Sequence, residues 1–318
     1  MLRYLGQRLL EAAVVLLAMS FLIYLLLGLM PGDPIDLLAS GDPNITSADL
    51  ARLKAVYGLD RPLLERYGHW LRGALAGDFG YSRLYALPVT ELMAPRLGNT
   101  ALLMGLSFVL ALLLALPAGV LAAVRQRSWL DYGLNLFAFA GISLPSFWLA
   151  LLLILLFAVT LGWLPAGGVH AVGDDSLGNR ALHLVLPVLT LTLLTIGGVL
   201  RFTRGAMLEA LRQDYIRTAR AKGLGPWGVV VGHALRNAMI PVVTILALNF
   251  GSLFSGALIV EQMFAYQGMG KMIYDAILGN DFNLALVGLL FATLLTLLSN
   301  LGADVVYAWL DPRISYAD

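Results

Sequence analysis

What most constrains this 318-residue chain is a series of six long apolar stretches, over residues 9–30, 97–124, 134–161, 182–200, 239–260 and 284–310. A helix needs about 20 such residues to cross the hydrocarbon of a bilayer. No water is present there, so each backbone N–H and C=O must be satisfied within the segment, and helices do this. Glu11, near the start of the first stretch, and Asp304, near the end of the sixth, are the only acidic or basic side chains other than histidine inside them. Composition agrees: 59% of residues are apolar and 13% charged, against roughly 45–50% and about 25% in a soluble domain. A soluble fold of this composition would expose large apolar patches. A net charge of +1 excludes nucleic-acid binding by bulk charge, and the absence of cysteine excludes disulfides and thiolate sites. The first stretch exceeds the roughly 7–15 residues of a signal-peptide core, and Met30-Pro31-Gly32 is no small-x-small cleavage site, so a retained anchor is expected.

Lys and Arg in the connections set the orientation. Segments 1–8, 125–133, 201–238 and 311–318 hold 12 of the 21 basic residues, and segments 31–96, 162–181 and 261–283 hold the other nine in a longer total length. Basic density is more than twofold higher in the first set, which puts both termini in the cytoplasm. The loop 31–96 is long and polar. Within it, Thr46-Ser47-Ala48-Asp49 is a helix-start signal, and Pro62 to Leu75 reads as a short helix. The chain shows no fixed-period repeat and no low-complexity tract.

Segment 201–238 is the one sizeable cytoplasmic element. Ala206 to Lys222 is compatible with a helix, Gly223 offers a C-terminal stop, and Pro226 suits the first turn of a new helix. Trp227 to Met239 then leads into the fifth span. A solvated loop that only sets orientation would need neither a helix–turn–helix nor the small residues Ala219, Ala221 and Gly223 at its tip. Small residues there permit close approach of another surface, so the segment reads as a docking element.

At this segment the chain resembles a known family. Thr218-Ala219-Arg220-Ala221-Lys222-Gly223-Leu224, then His233-Ala234-Leu235-Arg236-Asn237-Ala238-Met239-Ile240-Pro241, is similar to the coupling segment of ABC-importer permeases, in particular the dipeptide/oligopeptide/nickel group. Ala219, Gly223 and Leu235 keep the general motif's spacing. Arg217, Thr218, His233 and Arg236 depart from it, the first two toward the peptide group's own pattern. Further resemblances, in order along the chain, are Pro31-Gly32-Asp33-Pro34, Tyr57-Gly58-Leu59-Asp60-Arg61-Pro62, Gly77-Asp78-Phe79-Gly80-Tyr81-Ser82, Ser143-Leu144-Pro145-Ser146-Phe147-Trp148, Gly162-Trp163-Leu164-Pro165-Ala166-Gly167-Gly168 and Asp311-Pro312-Arg313. The resemblance implies an all-α polytopic membrane protein: six transmembrane helices in a type I importer fold, with a permease core over 94–308 and a cytoplasmic coupling helix.

The same resemblance implies partners: a homologous second permease, two cytoplasmic ATPases and an extracytoplasmic substrate-binding protein. ATP and Mg would bind to the ATPases, with no cofactor in this chain and no catalysis by it. The nearest fragment to a phosphate loop, Gly268-Met269-Gly270-Lys271-Met272, has Ala265 where the first glycine belongs and lacks the hydroxyl residue. Coupling to the ATPases is expected at Tyr215, Arg217, Thr218, Ala219, Arg220, Ala221, Lys222, Gly223, Leu224, Gly225 and Pro226. In the outer segment 261–283, Phe264, Tyr266, Gln267 and Met269 are expected to form a gate or a docking surface for the binding protein. The alternative is an interfacial helix anchored at the headgroups by Phe264 and Tyr266. Short peptides are the expected cargo, with nickel chelates, glutathione or another small solute as alternatives.

Other features carry less. Asn300 and Asp304 share one helical face, and Asp304 is close enough to the inner end for water contact or an interhelical hydrogen bond. Arg8 and Glu11 suit a surface ion pair. Pro117, Pro145, Pro187 and Pro241 can kink spans, and Gly197-Gly198 permits close helix contact. His69, His170, His183 and His233 form no metal-ligand spacing. An intramembrane serine protease would need a histidine inside a span after Gly141-Ile142-Ser143, and the later spans hold none in their interiors. A secondary transporter would show repeats and midplane charges, which spans two to five lack.

Overall fold

The computed structural model describes residues 2–29, 46, 52 and 61–310. The helix signal at Ser47–Asp49, the landmarks at 31–34 and 57–60, the ending at 311–313 and the Asp304 side chain lie outside the described residues. The described chain is almost entirely helical: α1 (Leu2–Gly28), α2 (Leu63–Leu75), α3 (Val89–Val124), α4 (Trp129–Ser143), α5 (Ser146–Leu153), α6 (Leu177–Ala210), α7 (Asp214–Ala221), α8 (Pro226–Val229), α9 (Arg236–Met263), α10 (Met269–Leu278) and α11 (Phe282–Leu310). Wider π-helical turns continue α5 over Ile154–Thr160 and join α8 to α9 over Val230–Leu235. Among the described residues five helices are long and apolar enough to cross a membrane, and the count reaches six if the bent pair Trp129–Ser143 with Ser146–Thr160 is one span.

That pair corrects one expectation. The third stretch, 134–161, is not one straight helix but turns through 106° between α4 and α5. Pro145 has no N–H for the turn before it, and it forces Leu144 into an extended conformation (φ −82°, ψ 129°). Pro187 and Pro241, by contrast, lie inside α6 and α9.

The chain divides into two compact units. The first comprises 1–98 and 271–295. Here α2, opened by Pro62, lies on α1 through aromatic rings: Tyr24 and Tyr67 have centroids 5.5 Å apart, Phe21 and Tyr67 5.2 Å, and Tyr24 and Phe282 4.9 Å. Ser20 and Tyr67 share a 2.7 Å hydrogen bond. Asp281, 1% exposed, closes the unit. Its carboxylate accepts from the Ser82 hydroxyl at 2.5 Å and from the Leu84 amide at 3.0 Å.

The second unit comprises 99–270 and 296–318, and α6 lies at its centre against α4 and α9. Glycines set these approaches. A Cβ on Gly197 would collide with the carbonyl of Ala138 on α4, and one on Gly141 would sit 2.9 Å from the Leu193 carbonyl. One on Gly119 of α3 would sit 2.7 Å from Thr203 Cβ. The Gly197 contact is therefore internal to this chain, whereas Gly198 faces open space. Two cores fill the gaps. One centres on Ala111, Ala115, Ala138, Val199 and Leu200, the other on Val120, Met207, Ile216, Val229 and Ala234.

Candidate functional site

The second of those cores sits beneath the elbow of residues 211–235. Ala206 to Lys222 is not one helix. α6 ends at Ala210, the chain turns over 211–213, and α7 starts at Asp214. Spacing explains the inner face of α7: Ile216 and Ala219, three apart, point inward and are 1% and 4% exposed. Burying the isoleucine contributes about 2 kcal/mol. At the far end Gly223 adopts φ +78°, its amide donates to the Arg220 carbonyl at 3.0 Å, and the Leu224 amide donates to the Ala219 carbonyl at 3.4 Å. This paired closure with glycine in the left-handed conformation ends helices sharply. Gly225 is extended, and Pro226 opens the next helix at its first position.

The outward side is solvent-facing. Tyr215, Arg217, Thr218, Arg220, Ala221, Lys222, Gly223, Leu224, Gly225 and Pro226 are all exposed, and of the expected coupling residues Ala219 alone is buried. Arg217 pairs with Asp214 at 3.4 Å, with both side chains in solvent, so the pair adds little stability. Next to the tip, Val124, Leu211, Arg220, Leu224, Pro226, Val229 and Val230 line a depression of about 310 Å³.

The elbow is tied to the neighbouring turn by a clamp that the sequence reading did not identify. Asp131, at the start of α4, takes two parallel hydrogen bonds from Arg204 of α6, at 2.7 and 2.8 Å. It also accepts from the Arg127 amide at 2.9 Å and from Asn135 Nδ2 at 2.7 Å. The Asp131 side chain is 3% exposed and that of Arg204 24%. Leaving such a carboxylate uncompensated costs about 3–5 kcal/mol when buried. The local signal was present, since Ser128 caps α4 by accepting from the Asp131 amide at 3.2 Å. Nothing in the sequence linked position 131 to position 204.

Segment 261–283 departs from its expected exposure. Phe264, Tyr266 and Met269 are 1%, 1% and 0% exposed. They cannot offer a surface to a binding protein, nor anchor at headgroups; Gln267 is exposed. α9 runs on to Met263, so Glu261 falls in its last turn, fully buried. Its carboxylate accepts from the Thr100 hydroxyl at 2.5 Å, and the same Thr100 oxygen accepts from the Met269 amide at 2.8 Å. Asn99 Nδ2 donates to the Gln267 carbonyl at 2.7 Å, and the Tyr266 hydroxyl donates to the Asn99 carbonyl at 3.3 Å. Gly168 donates its amide to the Phe264 carbonyl at 2.8 Å. The segment is thus a knot about a buried carboxylate. Burial, reinforced by Glu261, pushes the Tyr266 phenol up to about 12.

Residues 115–316 match the family described as "Binding-protein-dependent transport system inner membrane component", and residues 1–103 match that family's N-terminal region. The chain is 40% identical over 318 residues to the oligopeptide transport system permease protein AppB of Bacillus subtilis, covering 99% of this chain and 100% of that one. It is 39% identical over 316 residues to the glutathione transport system permease protein GsiC of Escherichia coli, covering 99% and 100%. A solved inward-facing structure of the MetNI methionine ABC transporter aligns with 68% of this chain and 97% of its own, at TM-score 0.54 and 17% identity, a likeness of fold. Its long apolar helices, its two family matches over nearly the full length and its permease relatives agree: the chain belongs to the inner-membrane permease components of binding-protein-dependent ABC importers.

Proposed function

We propose that the chain forms half of a translocation path for di- or oligopeptides and that its elbow at 215–226 is where ATPase motion enters. The observation that carries this is the elbow's two-sidedness. One side is cemented to α3, α6 and α8 through Ile216 and Ala219. The other presents exposed small residues and a surplus of cations, Arg212, Arg217, Arg220 and Lys222 against Asp214. A rigid, protruding, basic corner suits an acidic-rimmed groove on a partner. With the basic connections inside, the elbow and both termini face the cytoplasm. The full assembly then comprises this chain, a homologous permease, two ATPases that hold ATP and Mg²⁺, and an extracytoplasmic binding protein. Tyr215, Arg217 to Gly223 and Leu224 to Pro226 serve the ATPase contact. The knot at Phe264, Tyr266, Gln267 and Met269 serves as a gate element rather than a docking face.

The test is Gly223→Trp in the reconstituted assembly. The variant is expected to insert normally and to retain ATP hydrolysis while peptide uptake falls by an order of magnitude or more, about 1.4 kcal/mol of lost coupling per tenfold. Normal uptake by the variant would sink the assignment. Glutathione, as carried by the relative of that name, is the second cargo to compare.

A further inference from the structure

The depression beside the elbow tip differs in chemistry from the basic surface around it. Six of its seven lining residues are apolar, and the seventh is Arg220. Val229 and Val230 are 2% and 7% exposed, whereas Val124 and Leu224 are 41% and 44% exposed. Buried side chains therefore form its base and exposed ones its margin. Val124 is the last residue of α3, so part of that margin lies outside the elbow. The volume of about 310 Å³ stands at the bottom of the roughly 300–1,000 Å³ of small-molecule pockets, which suits one large side chain.

Charge narrows what can enter. Between residues 206 and 226 the acidic residues are Glu209 and Asp214, against Arg212, Arg217, Arg220 and Lys222. Asp214 pairs with Arg217 at 3.4 Å. Among the described residues no carboxylate pairs with Arg220. Arg220 is exposed, so its guanidinium is open to a carboxylate of another chain, which it can hold by two parallel hydrogen bonds.

Arg220, Leu224 and Pro226 belong both to the depression and to the outward side of the elbow. A partner seated on that side therefore covers the depression. Protein contacts pack at their centres as densely as interiors, and an unfilled space beneath one forfeits dispersion contacts on every wall. The surface that covers the depression has to fill it.

We propose that the ATPase subunit seats one large apolar side chain in this depression, beside a carboxylate that pairs with Arg220. This anchor rests on the assignment of the elbow to the ATPase contact, and it makes that contact mutual: the elbow enters the partner, and the partner enters the space beside the elbow tip.

The test uses this chain with its partner permease in nanodiscs, titrated with the ATPase subunits. The chain has no cysteine, so the variant Lys222→Cys carries a single thiol. Slower maleimide labelling of that thiol when ATPases are added reports the elbow contact itself. Val124→Trp fills the depression from α3 and leaves residues 215–226 unaltered. It is expected to weaken ATPase binding about tenfold or more, with the thiol of Lys222→Cys still protected at saturating ATPase. Arg220→Gln should weaken binding about tenfold, Lys222→Gln less than about twofold, and Arg220→Lys should recover part of the loss. Arg220 is exposed, so its variants read the same anchor if Val124→Trp fails to fold. Full affinity of Val124→Trp, with Lys222→Cys protected, would overturn the anchor and leave the elbow contact standing; the depression would then belong to a small molecule or a lipid chain. Equal losses for Arg220→Gln and Lys222→Gln would refute the carboxylate pairing and leave a diffuse attraction to a basic corner. Labelling of Lys222→Cys that ATPases do not slow would remove the elbow contact, and the anchor with it.

Discussion

Gly223 and Gly225 stand two residues apart and make different demands on the backbone. Gly223 sits at φ +78°, whereas Gly225 sits at φ −64°, and an added Cβ at either would meet open space. The difference is therefore purely conformational. Gly223→Ala should cost about 1–2 kcal/mol, and Gly225→Ala should stabilise by about 0.4–1 kcal/mol through the unfolded chain. Thermal unfolding of the two variants in detergent checks the sign of each. Tyr266 makes a second prediction at this scale. Its phenol is pushed up to about 12 in the fold, from 10.0 when free. The native state therefore keeps its proton where the unfolded state has lost it. Tyr266 thus contributes stability that declines as pH rises from 10.0 toward 12, by up to about 2–3 kcal/mol. An alkaline melting series should show this loss in the parent chain and not in Tyr266→Phe; equal slopes would contradict it.

Elements in this fold are placed by glycine and proline as much as by apolar surface. Gly197 lets α6 approach the Ala138 carbonyl of α4, while a Cβ added at Gly198 next to it would meet nothing within 4 Å. Gly197→Val should push α4 from α6 and lower the yield of folded chain severely, because a close-packed interface cannot absorb an added side chain. Gly198→Ala should be tolerated, helped by its better helix propensity. Size-exclusion profiles of the two variants measure the contrast. Pro145 acts at the same scale. A 28-residue apolar stretch, 134–161, reads as one span by length alone, yet proline and the extended residue before it bend the chain by 106°. The clamp between Asp131 and Arg204 then pins the first half of that bent span to α6.

For the whole molecule the cargo is the open quantity, and it belongs to the assembly rather than to any one helix. With its binding protein, the reconstituted complex should show ATPase stimulation by short peptides, in a series that also includes glutathione. Stimulation by glutathione alone, with none by peptides, would move the chain to the second cargo. Much of the architecture was legible before any coordinates. The number of apolar stretches, the helix at 63–75, the stop at Gly223 and the restart at Pro226 all follow from local rules: the bilayer's thickness, an N-terminal proline, a left-handed glycine. The burial of Phe264, Tyr266 and Met269 was not legible. Their spacing suits an exposed hairpin equally well, and only Asn99 and Thr100, arriving from α3 to meet Glu261 and the backbone of Gln267 and Met269, turn them inward. Asp131 and Arg204 were invisible as a pair for the same reason, being 73 residues apart. Sequence alone determined what depends on neighbours along the chain: which segments enter the membrane and where helices start and stop. Tertiary structure decided which polar groups meet across the fold, because a carboxylate kept from water must find its partners in space, wherever they lie in sequence.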